Sequence, residues 1–120
     1  MKTHRDLKVW IDSINFVTKI HALTNNFPKE ELFGITSQIR RAAVSIPSNI
    51  AEGAARTSKK EFNNFLSIAL GSASELEIQI IISKNLNYLE KEIAETFINE
   101  LTSIQKMIHG LMKSLRSTNH

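Results

Sequence analysis

Five residues have types and spacing that point to chemistry: Arg40, Arg41, Arg56, Lys59 and Lys60. One carboxylate, Glu52, stands against them in the same stretch. The planar fork of arginine meets a phosphate through two donors, and lysine meets it as a point charge. The cluster therefore reads as a set of phosphate contacts for nucleic acid. The other reading is a solvated face in which Glu52 pairs with Arg56 at the (i, i+4) spacing. The whole chain carries a formal charge of +3, a mild bias toward anionic partners.

Other chemistry finds little support. With no cysteine, disulfides, thiolate metal sites and cysteine nucleophiles are excluded. His4, His21, His109 and His120 are scattered, and no Glu is followed by His three residues later, as a di-metal helical bundle requires. Neither GxGxxG nor GxxxxGK[ST] occurs. Ser45, Ser48, Ser72 and Ser74 have no His and acid placed to form a triad, so they read as caps or small packing residues. Glu75 and Glu77, two apart, face different sides of a helix. No catalytic residue, metal ligand or cofactor is predicted, and the chain is expected not to be an enzyme. Trp10, Tyr88 and six Phe are all the aromatics, and most fall on core stripes. Stacking of bases is then scarce, and recognition of shape and backbone is the expected mode.

The elements that must position these residues are helices. The 120 residues suit a single domain, 1–120, and 4 Gly with 2 Pro is too little punctuation for a many-stranded fold. Periodicity predicts a first helix from about Arg5 to Thr24, with two apolar stripes: Leu7, Trp10, Ile11, Ile14, Val17 and His21 on one, Val9, Phe16, Ile20 and Leu23 on the other. One stripe suits the core and the other a partner subunit. A second helix is predicted over 28–54, opened by Pro28, with Leu32, Ile35, Ile39, Ala42, Ala43, Ile46 and Ile50 inward. Pro47 predicts a kink, because Ile50, Ala51 and Ala54 keep the helical phase beyond it.

Ser58 and Glu61 form a capping box, which starts a third helix over 59–87. Its core face is Phe62, Phe65, Leu66, Ala69, Ala73, Leu76 and Ile80, and Ile78, Ile81 and Ile82 spread around the other side. Ala69 and Ala73, with Gly71 and Ser72 nearby, would let a neighbouring backbone approach closely. A fourth helix over 90–116 carries the seam Ile93, Phe97, Leu101, Ile104, Ile108, Leu111 and Leu115. Short connections make successive helices antiparallel, so the expected fold is all-α, an up-down-up-down four-helix bundle. No unbroken apolar run reaches the ~18 residues of a membrane span. Lys8, Asp12 and Lys19 interrupt any secretory leader. The chain is read as cytoplasmic.

The middle of the chain is distinctive. It runs from Phe27-Pro28-Lys29-Glu30-Glu31-Leu32-Phe33-Gly34 through Ile39-Arg40-Arg41-Ala42-Ala43-Val44-Ser45-Ile46-Pro47-Ser48-Asn49-Ile50-Ala51-Glu52-Gly53. Together with Asp6-Leu7-Lys8-Val9-Trp10 before it and Glu61-Phe62, Phe65-Leu66 and Glu75-Leu76-Glu77 after it, it resembles the four-helix-bundle proteins encoded by intervening sequences within bacterial 23S ribosomal RNA genes. The accessory variability-determinant proteins of diversity-generating retroelements are similar. The resemblance implies an up-down bundle assembled as a homopentameric ring, binding to nucleic acid, a possible reverse transcriptase partner, and no catalysis. A ring would repeat a weak basic patch in every copy, and phosphate binding grows with the number of cations acting together. The competing expectation is a protein–protein scaffold with no direct nucleic-acid contact.

Overall fold

The computed structural model describes His4 and residues 7–117. Its helices are α1 Lys8–Thr24, α2 Ile35–Ala54, α3 Lys59–Asn85 and α4 Lys91–Ser117, with a short 3-10 turn at Lys29–Glu31 between α1 and α2. No strand occurs among the described residues. Each helix packs on the next and α4 returns to α1; the α2–α3 interface is the most extensive and α1–α4 the thinnest. The rod measures 50 × 23 × 20 Å. The turns after α1 and α3 lie at one end, and the α2–α3 turn lies at the other.

The core repeats at helical intervals. Phe16, Ile20, Ile39, Ile46, Ile50, Leu66, Leu76, Ile80, Leu101, Ile104 and Ile108 are almost fully buried. Each such side chain contributes about 2 kcal/mol by leaving water. Small residues bring α2 and α3 together: Ala42, Ala43 and Gly53 on one, Ala69 and Ala73 on the other, all buried. A Cβ on Gly53 would lie 2.8 Å from Phe65 Cβ and 2.9 Å from Phe62 Cδ1. Gly71 does not share this role; it is exposed, with open space where a Cβ would project.

Several expectations are corrected. The expected start of the first helix at Arg5 lies outside the described residues; α1 begins at Lys8, after Leu7 in extended backbone. Its core stripe is Val9, Ser13, Phe16, Ile20 and Thr24, while Ile11 and Ile14 are exposed. The second helix does not run from Pro28. The chain makes a 3-10 turn, then a tight turn with Gly34 N–H donating to Glu31 O (2.9 Å), and α2 begins only beyond Gly34. Gly34 sits at φ −112°, ψ −120°, which no helix accommodates. Leu32, expected inward, is therefore exposed, and Phe33 is 93% exposed. In the first turn of α4 the buried residue is Ala94 and not Ile93.

Other local signals hold. Helix α2 passes through the buried Pro47 and continues to Ala54. Asn49 Nδ2 donates to Ser45 O (2.8 Å) beside it. The Ser58 hydroxyl accepts from Glu61 N–H (3.0 Å) and donates to the Glu61 carboxylate (3.2 Å), which caps α3. Helix α3 ends at Asn85, two residues before the expected limit. Tyr88 N–H reaches Ser83 O and Asn87 N–H reaches Lys84 O, with Asn87 at φ 65°. This is a Schellman ending with asparagine in the left-handed position.

Among the described residues, α3 alone is apolar enough by length and composition to cross a membrane. An unbroken-run criterion misses it because Glu75 and Glu77 interrupt the run. Part of its apolar character lies outside the core, at the exposed Ile68, Ile78, Ile81 and Ile82. Trp10, Ile14, Val17, Val44, Pro47 and Ala51 border an apolar groove of about 330 Å³ between α1 and α2.

Candidate nucleic-acid interface

The five basic residues do not form one patch. Arg40 and Arg41 sit in the first half of α2, and Arg56, Lys59 and Lys60 sit around the turn after it. Sixteen residues separate Arg40 from Arg56 in sequence, about 24 Å at the rise of an α-helix.

Arg40 is half-buried and anchors the end of α1. Its Nε donates to Thr24 Oγ1 (2.8 Å), and Nη2 donates to Asn25 Oδ1 (3.0 Å) and, more weakly, to His21 O (3.5 Å). Thr24 Oγ1 in turn donates to Ile20 O (2.8 Å). A cation is favoured at this negative end of the α1 dipole, where carbonyls lack helical partners. Arg40 thus has a structural task that its sequence position did not reveal.

Arg41 differs. It is exposed and makes no ion pair or side-chain hydrogen bond among the described residues. It borders a polar cleft of about 420 Å³ with Gln38, Ser45, Ser72, Glu75 and Gln79. Ser45 and Ser72 hydrogen-bond across the α2–α3 seam (2.8 Å) at the cleft's edge. Gln79 is buried, and its Oε1 has no partner. On the other side of Arg41 a shallow hollow is bordered by His21, Arg40, Val44 and Ser45.

Arg56 is engaged within the chain. Its Nη2 lies 2.6 Å from Glu52 Oε2, and its guanidinium lies 4.8 Å from the centre of the Phe65 ring. The (i, i+4) pair anticipated from sequence is present, joined by a cation–π contact. Lys59 and Lys60 are exposed on the first turn of α3. The other ion pairs, Lys8–Asp12 and Lys19–Glu100, lie at the surface, where each contributes at most about 1 kcal/mol.

The sequence reading missed two residues beside Arg40. Lys29 and Thr36 border a cleft of about 310 Å³ with Arg40, Thr24 and Asn25. Thr36 stands four residues before Arg40, on the same helical face, directly after the Gly34 break; that spacing is the signal that marks it. Among the described residues no group of three His, Asp or Glu gathers as metal ligands would.

These features define an all-helical four-helix bundle whose basic groups divide between two stations along α2. Residues 5–110 match the model of the family described as 23S rRNA-intervening sequence protein, and the chain belongs to that family. It is also similar to a crystal structure, at 1.70 Å resolution, of a protein with unknown function from the S23 ribosomal protein family of Bacteroides thetaiotaomicron. The two share 31% identity and superpose with a TM-score of 0.81, covering 88% of this chain and 95% of that one. No curated protein matches the chain.

Proposed function

We propose that the protein is a non-catalytic, self-assembling cytoplasmic bundle that binds nucleic acid, structured RNA or RNA–DNA, through its basic groups. The observation that carries this reading is Arg41, an exposed arginine with no internal partner beside a second arginine held in place. An arginine without a direct ion pair is suited to an external anion, and its fork fits a phosphate. Lys59 and Lys60 offer a second contact at the far end of α2. Basic groups at both ends of α2 suit an extended backbone and not a small ligand.

Assembly is supported by the apolar surface left open. The α1–α2 groove and the outer isoleucines of α3 are different surfaces, and docking one onto the other is a head-to-tail contact, which generates a ring where its rotation closes. The pentamer implied by the family resemblance is one such ring. Fluorescence anisotropy with a labelled RNA hairpin tests the binding. Affinity should fall steeply from low to physiological salt, and Arg41→Gln should reduce the slope by about one phosphate contact per subunit. Binding insensitive to salt defeats the reading.

The exposed Ile68, Ile78, Ile81 and Ile82 favour one second reading, a scaffold that docks a protein partner. Nuclease treatment of a native pull-down separates the two: partners bridged by RNA leave, and partners docked on the isoleucines stay.

A further inference from the structure

We propose that the cleft between the end of α1 and the start of α2 is a phosphate site, with Thr36, Arg40 and Lys29 as its polar groups. The first observation is a hydroxyl with nothing to bond. Thr36 is 2% exposed, it borders the cleft, and its Oγ1 has no hydrogen-bond partner. A buried hydroxyl is normally paired, so this one points to an occupant that accepts its proton.

The start of α2 says what kind of occupant. Gly34 supplies no side-chain cap to this 20-residue helix, and its first turn holds no acidic residue. The first amides of such a helix have no helical acceptors and carry the positive end of the dipole, and from this first turn Thr36 borders the cleft. Arg40 adds charge one turn further along. Its Nε and Nη2 are committed to the end of α1, and Nη1 takes no part in those bonds. The guanidinium is thereby held at the cleft at little further cost in side-chain entropy. Lys29 lies at the rim and is exposed. Glu30 and Glu31 do not border the cleft; Glu31 bonds the Tyr88 hydroxyl through Oε2, and its Oε1 lies 2.7 Å from where a Cβ on Gly34 would project, beside the start of α2.

Phe27, Pro28 and Leu32 supply an apolar wall to the same cleft. A sugar or base edge attached to the phosphate would lie against it. The chemistry required is a phosphate group, whether a phosphodiester in a strand or a free phosphomonoester. The phosphodiester source rests on the nucleic-acid reading above, and the phosphate site itself does not.

The test is an amide NMR titration of the intact protein with inorganic phosphate against sodium chloride at matched ionic strength, repeated with a short RNA hairpin. Phosphate should move the amides of Ile35, Thr36 and Ser37, and chloride should not. Thr36→Val should weaken phosphate about tenfold, the usual effect of removing one hydrogen bond to a charged group. Its melting temperature should stay or rise, because a methyl replaces an unpaired hydroxyl. Lys29→Gln should weaken binding without altering the fold.

Amides from Ile35 to Arg40 that stay still with phosphate, or a Thr36→Val variant that binds as well as the parent, overturn the site. RNA that binds while these amides stay still removes the phosphodiester source and leaves the Arg41 reading standing. Phosphate bound here with no RNA bound supports the site with a phosphomonoester and defeats the nucleic-acid reading.

Discussion

The Tyr88 hydroxyl donates a hydrogen bond to the Glu31 carboxylate across 2.7 Å, tying the turn after α3 to the turn after α1. The Tyr88 ring also packs 5.6 Å from that of Phe27, so one end of the bundle is closed by a ring contact and a charge-assisted bond together. This joins two loops 57 residues apart in sequence.

Because the carboxylate accepts from the phenol, it favours the protonated form. The Tyr88 phenol is raised above its ordinary 10.0, first by this hydrogen bond, then by burial, then by the charges of Glu31 and Glu30. The sign follows. The folded state holds the proton more tightly than the unfolded chain, so the stabilisation is fully present below about pH 10 and is lost as pH rises through the folded value. Tyr88 is the sole tyrosine, so an ultraviolet titration reads it directly. Glu31→Gln should bring the titration back toward the ordinary range.

Gly53 is needed where it stands. A methyl there would press on Phe65, on the Phe62 ring and, at 3.2 Å, on the Phe62 carbonyl. Gly53→Ala should destabilise by about 1–3 kcal/mol, as overpacking does. Gly71→Ala meets open space and should stabilise by about 1 kcal/mol through helix propensity alone. Urea midpoints of the two variants should move in opposite directions.

Two adjacent arginines should answer differently to substitution. Arg40→Ala removes the clamp on Thr24 and Asn25 and should cost about 1–2 kcal/mol of stability. Arg40→Lys keeps the charge but not the fork, and should recover only part of that loss. Arg41→Ala should leave the urea midpoint within about 0.5 kcal/mol of the parent while weakening RNA binding. Equal destabilisation by both would contradict the division of labour.

The outer isoleucines give a test of assembly. Ile78 is 58% exposed, so Ile78→Glu removes no core contact and should leave the helical circular dichroism signal intact. Sedimentation should show the variant in smaller species than the parent. Ile80→Glu, by contrast, places a charge in the core and should unfold the chain.

Much of the fold is legible in the residues. Four stretches of helical periodicity, the Ser58–Glu61 cap and the persistence of phase beyond Pro47 are local features, governed by contacts within a turn or two. The limits of α2 and α3 were less visible. At Gly34 a tight turn won over the apolar period that includes Leu32, and at Asn87 a left-handed residue ended α3 early.

What only tertiary structure decided is which stripe of α1 faces inward and what the basic residues do. Periodicity gives two apolar stripes equal standing. The burial of Ser13 and Thr24 beside Val9, Phe16 and Ile20 comes from how α1 meets α2 and α4. Arg40 and Arg41 are adjacent and alike in composition, yet about 100° of helical rotation turns one onto the end of α1 and leaves the other to solvent. Charge is a property of the residue. Its availability depends on what lies across the groove, and that neighbour is distant in sequence.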